Sequence, residues 1–95
     1  MKKDPQKHRD LFEALSQLRT PEEYFLFFQD LCTPLELDTL ADRWQVAKYL
    51  YREIPYRKIY EKTGTSTATV TRVARSLSFG QGYQMLLKRT QGKQL

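Results

Sequence analysis

An all-α fold of six short helices is what this sequence predicts, and three observations predict it. Between residues 55 and 78, PYRKIYEKTGTSTATVTRVARSLS, two helical patterns meet at Gly64, which is the layout of a helix-turn-helix. Upstream, Thr20-Pro21-Glu22-Glu23 and Thr33-Pro34-Leu35-Glu36 each place a hydroxyl at the N-cap, proline at the first helical position and a carboxylate at the third. Apolar residues recur at helical spacing around all of these signals.

Taken in order, Met1 to Lys3 read as a mobile end, and Asp4-Pro5 starts the first helix, with aspartate as cap and proline where its missing N–H costs nothing. Leu11, Phe12, Leu15 and Leu18 continue it at helical spacing. His8, the one histidine, falls in its polar first turn and is expected to be exposed. The second helix carries Tyr24, Phe25, Leu26, Phe27, Phe28 and Leu31, apolar on more than one face. The alternatives are a crowded core within one chain and a core shared by two chains; a chain this short has little interior to surround such a helix, so the shared core is expected. The third helix, the longest, runs to about Arg52 with the stripe Leu37, Leu40, Trp44, Ala47, Leu50 and Tyr51. Trp44 there is core or interface filler.

Pro55 cannot continue that helix and suits the first turn of the next. Ile59 and Thr63 face inward from about two turns, and Gly64 supplies the left-handed geometry that closes them. Thr65 or Ser66 then caps a helix reaching about Ser78. Val70, Val73, Ala74 and Leu77 share its apolar face, and Thr67, Thr71 and Arg75 another, flanked by Ala68 and Arg72. Tyr60 stands where helix-turn-helix motifs usually have a small residue. Phe79, Gly80 and Gly82 break the helix, a last one spans Tyr83 to Lys88, and TQGKQL frays.

The 95 residues form a single domain. Residues 1 to 54 supply dimerisation helices, 55 to 78 the helix-turn-helix, and 79 to 95 the C-terminal helix and tail. One cysteine, Cys32, excludes an internal disulfide and a two-cysteine metal site. With no signal-peptide core and no long apolar run, a cytoplasmic chain without membrane association is expected.

The charge is unevenly placed. Residues 1 to 54 hold eight Lys/Arg against ten Asp/Glu, whereas residues 55 to 95 hold eight Lys/Arg against Glu61 alone, within a net +5. A basic half beside a slightly acidic one is the footprint of a phosphate-backbone binder, here double-stranded DNA. Residues 66 to 77 are expected in the major groove, with Thr67, Ala68 and Thr71 near base edges. Arg57, Lys58, Lys62, Arg72 and Arg75 would meet phosphates, as would Ser66 at the helix N-terminus.

Other classes fit less well. One histidine and one cysteine, with no nucleophile–base pair, argue against an enzyme. Acidic pairs such as Glu22-Glu23 are explained by helix N-termini. A helical adaptor that binds protein through a sigma-factor-like head is the alternative, but protein interfaces prefer larger apolar anchors than Thr67, Ala68 and Thr71. RNA is disfavoured because no exposed aromatic platform is interleaved with the basic residues.

From Leu31 to Leu77, LCTPLELDTLADRW followed by TGTSTATVTRVARSL resembles the tryptophan-repressor family, and its YerC/YecD-type branch in particular. The pattern TPxE…LxxR then G…ATxTRxxxSL is more specific than a lone helix-turn-helix. The resemblance implies a six-helix, intertwined homodimer that represses amino-acid metabolism genes from a pseudo-palindromic operator. It also implies a corepressor pocket, with Arg43 and Arg72 stacking on a planar ring and Ser76 meeting the ligand. Val73 replaces the family's glycine after the second arginine, and Asp30 replaces an apolar lining residue. Both changes point away from tryptophan, towards a smaller or more polar amino-acid-like effector such as histidine, or towards no ligand. Arg72, Val73 and Ser76 are thereby expected to face the corepressor, and Thr67, Ala68, Thr71 and Arg75 the DNA. No other cofactor is expected.

Overall fold

A computed structural model of the chain describes residues 4–92. These form α1 (Pro5–Leu15), α2 (Pro21–Leu31), α3 (Pro34–Tyr51), α4 (Tyr56–Thr63), α5 (Thr67–Phe79) and α6 (Gly82–Gln91), with no strand among the described residues. The helix starts follow the caps. Asp4 accepts from the Gln6 N–H at 3.0 Å. At α3 the box is reciprocal: Thr33 Oγ1 accepts from the Glu36 N–H at 3.1 Å, and the Glu36 carboxylate accepts from the Thr33 N–H at 2.8 Å. The Thr33 backbone N–H, with the Thr33 side chain second, holds the Glu36 carboxyl below its ordinary value. At α2 the box is shifted by one residue: Thr20 Oγ1 accepts from Glu23 N–H at 3.2 Å, while the Glu23 carboxylate reaches Arg19 N–H at 2.9 Å. Each such cap contributes about 1 kcal/mol to its helix.

Helix ends depart from the sequence expectation in several places. The first helix stops at Leu15, short of Leu18. Ser16 Oγ donates to the Glu13 carbonyl at 2.6 Å, and such local side-chain bonds compete with helix continuation. The end of α3 is set before Pro55 is reached. Glu53 adopts the left-handed region (φ 60°), with Glu53 N–H bonded to Leu50 O and Ile54 N–H to Tyr49 O, both at 3.0 Å. That is a Schellman ending in which a glutamate fills the position usually given to glycine. Pro55 accordingly sits outside α4 as its N-cap.

The fifth helix includes Phe79, and the break falls at Gly80. A Cβ on Gly80 would lie 2.6 Å from the Ser76 carbonyl oxygen, to which the Gly80 N–H donates at 2.7 Å. Gly82, expected to be a breaker, is the first residue of α6, and the helix runs past Lys88 through Gln91. Two bonds from the end of α3 hold it there: Tyr51 Oη donates to Gly92 O at 2.8 Å and Arg52 Nη2 to Gln91 Oε1 at 2.6 Å. Thr90 and Gln91 are thus helical rather than frayed. The expected mobile residues 1–3 and the tail residues 93–95 lie outside the described residues.

The chain forms two compact units, Met1–Leu37 and Asp38–Leu95. The second holds the core: Val46 and Ala47 of α3, Ile59 of α4, Val70 and Val73 of α5, and Leu87 of α6. Trp44, Tyr49, Leu50, Tyr51, Ile54, Tyr60, Leu77 and Tyr83 pack around them, half-buried. Val46 lies outside the stripe read from the sequence, yet it is fully buried. The first unit is built differently. Neither α1 nor α2 buries a residue; Phe12, Phe25 and Leu26 are 63%, 55% and 62% exposed.

Candidate nucleic-acid interface

The turn between α4 and α5 is fixed by one glycine and a chain of hydroxyls. Gly64 takes φ 68° and its N–H donates to Tyr60 O at 2.9 Å. Thr63 Oγ1 donates to Ile59 O at 2.7 Å and accepts from the Thr65 N–H at 3.2 Å. Thr65 is thereby engaged with Thr63. The cap of α5 is Ser66, whose Oγ accepts from the Thr69 N–H at 3.1 Å. These local bonds set the direction in which α5 leaves the turn. Burial of Ile59, Val70 and Val73 in one core then fixes α4 and α5 against each other.

That burial decides which way the rest of α5 faces. With about 100° of rotation per residue, the side opposite Val70 and Val73 carries Thr67, Ala68, Thr71, Arg72, Arg75 and Ser76. All six are exposed, and together they line one shallow depression. The ion pairs among the described residues are Arg9–Glu13 and Lys58–Glu61, so Arg72 and Arg75 are free of carboxylate partners. On α4, Arg57, Lys58 and Lys62 are exposed. Lys58 Nζ lies 3.8 Å from Glu61 Oε2, and Lys62 Nζ lies 6.0 Å from the centre of the Tyr49 ring, at the limit of a cation–π contact.

Of the three residues expected to face a corepressor, Arg72 and Ser76 lie on the exposed side of α5 and Val73 does not. Arg72 and Ser76 share the depression with Thr67, Ala68, Thr71 and Arg75. Val73 is 1% exposed and belongs to the core. The reason is the helical step: one residue past Arg72, the chain has turned onto the arc of Val70 and Leu77, which the core occupies. Arg43 is half-buried on α3, and Asp30 is exposed on α2. Arg43 makes no ion pair with Glu36, Asp38 or Asp42 among the described residues.

One residue of this face was not legible as such in the sequence. Phe79, read as a breaker, is the last residue of α5 and is 85% exposed. It stands four residues after Arg75 and seven after Arg72, on the same side of the helix. One aromatic therefore ends the basic face, where none was expected. The i+4 continuation from Arg75 was the available signal, hidden by the Phe-Gly dipeptide. Elsewhere, His8 is exposed as expected.

Six helices, a helix-turn-helix and an outward basic face of small residues define a DNA-binding regulator domain. The comparisons with known proteins give its family. The family model described as Trp repressor protein matches residues 6–91, and the chain belongs to that family of DNA-binding regulators, which is not an enzyme family. It is 45% identical over 80 residues to the uncharacterized protein YerC of Bacillus subtilis, covering 83% of this chain and 77% of YerC. It is 33% identical over 69 residues to a Trp operon repressor homolog of Chlamydia caviae, covering 72% and 68% of the two chains. Among solved structures, a TrpR-like protein from Eubacterium eligens superposes with a TM-score of 0.88 at 40% identity, covering 97% of this chain and 96% of that one. A crystallised candidate Trp repressor from Staphylococcus aureus gives a TM-score of 0.90 at 39% identity, covering 97% and 93%. No helix among the described residues is long and apolar enough to cross a membrane.

Proposed function

We propose that the protein is a homodimeric transcriptional repressor of amino-acid metabolism genes that reads a pseudo-palindromic operator. The observation that carries the reading is the exposed face of α5. Thr67, Ala68 and Thr71 are small enough to let the helix backbone enter a major groove, and their methyl groups suit thymine methyls. Arg72 and Arg75 on the same face, with Arg57, Lys58 and Lys62 on α4, meet phosphates and set the register. Ser66, at the start of α5, adds a phosphate contact at a helix N-terminus.

The homodimer rests on the unburied apolar side chains of residues 1 to 54. Phe12, Tyr24, Phe25, Leu26, Leu31, Leu35 and Leu40 are all exposed in a single chain. So many large apolar side chains left in water call for an association surface, and in this reading residues 1 to 54 are the dimerisation helices. The repressor role follows the Chlamydia relative and its Trp operon.

A corepressor, in this reading, is an amino acid smaller or more polar than tryptophan, held through Arg43, Arg72 and Ser76. Val73, fixed in the core beside Arg72, keeps a branched side chain where a glycine would leave room for a ring. Such a ligand tightens DNA binding by setting the angle of the two reading heads, and DNA must then tighten ligand binding by the same factor.

The test is the salt response of DNA affinity. With the five cations of each head on phosphates, about ten per dimer, affinity should fall by about 10⁵-fold as salt rises fourfold from about 50 mM. A nearly flat response overturns the reading.

A further inference from the structure

Beyond Asn- and Asp-free turns, the basic half of the chain has a single acidic residue, and the structure gives it a specific place. Glu61 lies on α4, on the exposed side opposite the buried Ile59. Helical spacing puts it beside Arg57, four residues before it, and Lys58, three residues before it. Its carboxylate is 3.8 Å from Lys58 Nζ, with both side chains 58% exposed. A pair this exposed contributes little to folding, and Ile59 already anchors α4 in the core. What the carboxylate does alter is the field over the α4 face, where Arg57, Lys58 and Lys62 are otherwise unopposed.

We propose that Glu61 is an electrostatic brake on DNA binding, competing with the DNA phosphate for Lys58 and repelling the backbone from the α4 face. The inference rests on the proposed DNA-binding role of that face. Its consequence falls on binding that ignores sequence. Phosphate contacts supply essentially all non-specific affinity, whereas the exposed face of α5 is where base edges are read. A carboxylate on α4 therefore weakens attachment to arbitrary DNA while leaving the base-reading side chains untouched.

The experiment measures binding of a short fluorescent duplex of mixed sequence by the full chain and by Glu61→Gln, across a salt series. The variant keeps the side-chain volume and removes the charge. Glu61→Gln should bind roughly threefold to tenfold more tightly at low salt, with the advantage vanishing at high salt. Its plot of log affinity against log salt should steepen by up to about one phosphate equivalent. In a Lys58→Gln background the gain from Glu61→Gln should shrink, because one of the two partners is gone. Unchanged or weaker binding by Glu61→Gln, with unchanged slope, overturns the inference. Arg75→Glu, measured in the same series, separates the two readings: if it too leaves binding unchanged, the DNA-binding role of the face has failed, and not only the brake.

Discussion

Reversing two charges, Lys62→Glu together with Arg75→Glu, should abolish DNA binding without unfolding the protein. Arg75 lines the exposed depression of α5 and Lys62 stands on the exposed side of α4. Neither makes an ion pair among the described residues. Folding loses only the 6.0 Å contact of Lys62 with the Tyr49 ring, a contribution of about 0.5–1 kcal/mol at an exposed site. Binding loses two phosphate contacts in each head and gains two repulsions, so the proposed dimer loses four contacts. Affinity should fall at least about 100-fold at moderate salt, with a correspondingly shallower salt slope. Electrophoretic or fluorescence titration against DNA reads the first effect, and a circular-dichroism melt reads the second. A partner protein captured through larger apolar anchors would be much less affected, so retention of binding would favour the adaptor alternative.

The second large effect concerns stability. Leu87 is the one fully buried residue of α6, in a core whose other members are Val46, Ala47, Ile59, Val70 and Val73. Leu87→Ala removes its packing against those side chains and leaves a cavity that short helices close poorly. The expected loss is about 2–5 kcal/mol, from a total that for a domain this size is about 5–15 kcal/mol. Thermal unfolding at fixed protein concentration should shift down by about 10 °C or more. Concentration must be fixed because the proposed dimer would add its own stabilisation by mass action. A shift of only one or two degrees would mean that α6 is held by its end contacts at Gln91 and Gly92 instead of by its core residue.

The helix starts were legible in the sequence because capping is local: Asp4, Thr20, Thr33 and Ser66 each act on an N–H two or three residues away. The ends were less legible. Nothing in Arg52-Glu53-Ile54 announces that a glutamate takes the left-handed position, since that role is normally written as glycine. The extra turn of α6 depends on Tyr51 and Arg52, which lie some forty residues earlier in the chain. Such contacts are invisible to a reading based on local spacing.

The candidate site divided in the same way. The outward face of α5 followed from the spacing of Val70, Val73 and Leu77, and Thr67, Ala68, Thr71 and Arg75 fall on it. Val73 was expected both on the apolar face of α5 and, by resemblance to a ligand pocket, turned toward a corepressor with Arg72 and Ser76; it is buried in the core. The core had a stronger claim on Val73, and its helical position gave it no other option.

The claim that matters most is that two copies of α5 read DNA together. Hydroxyl-radical footprinting on an operator recovered from genome-wide occupancy, repeated with and without each amino acid, tests it most directly. The account predicts two protected stretches of related, inverted sequence, their centres about 34–36 Å apart along the duplex, one helical turn. Protection of a single asymmetric stretch, or uniform coverage without sequence preference, would contradict it.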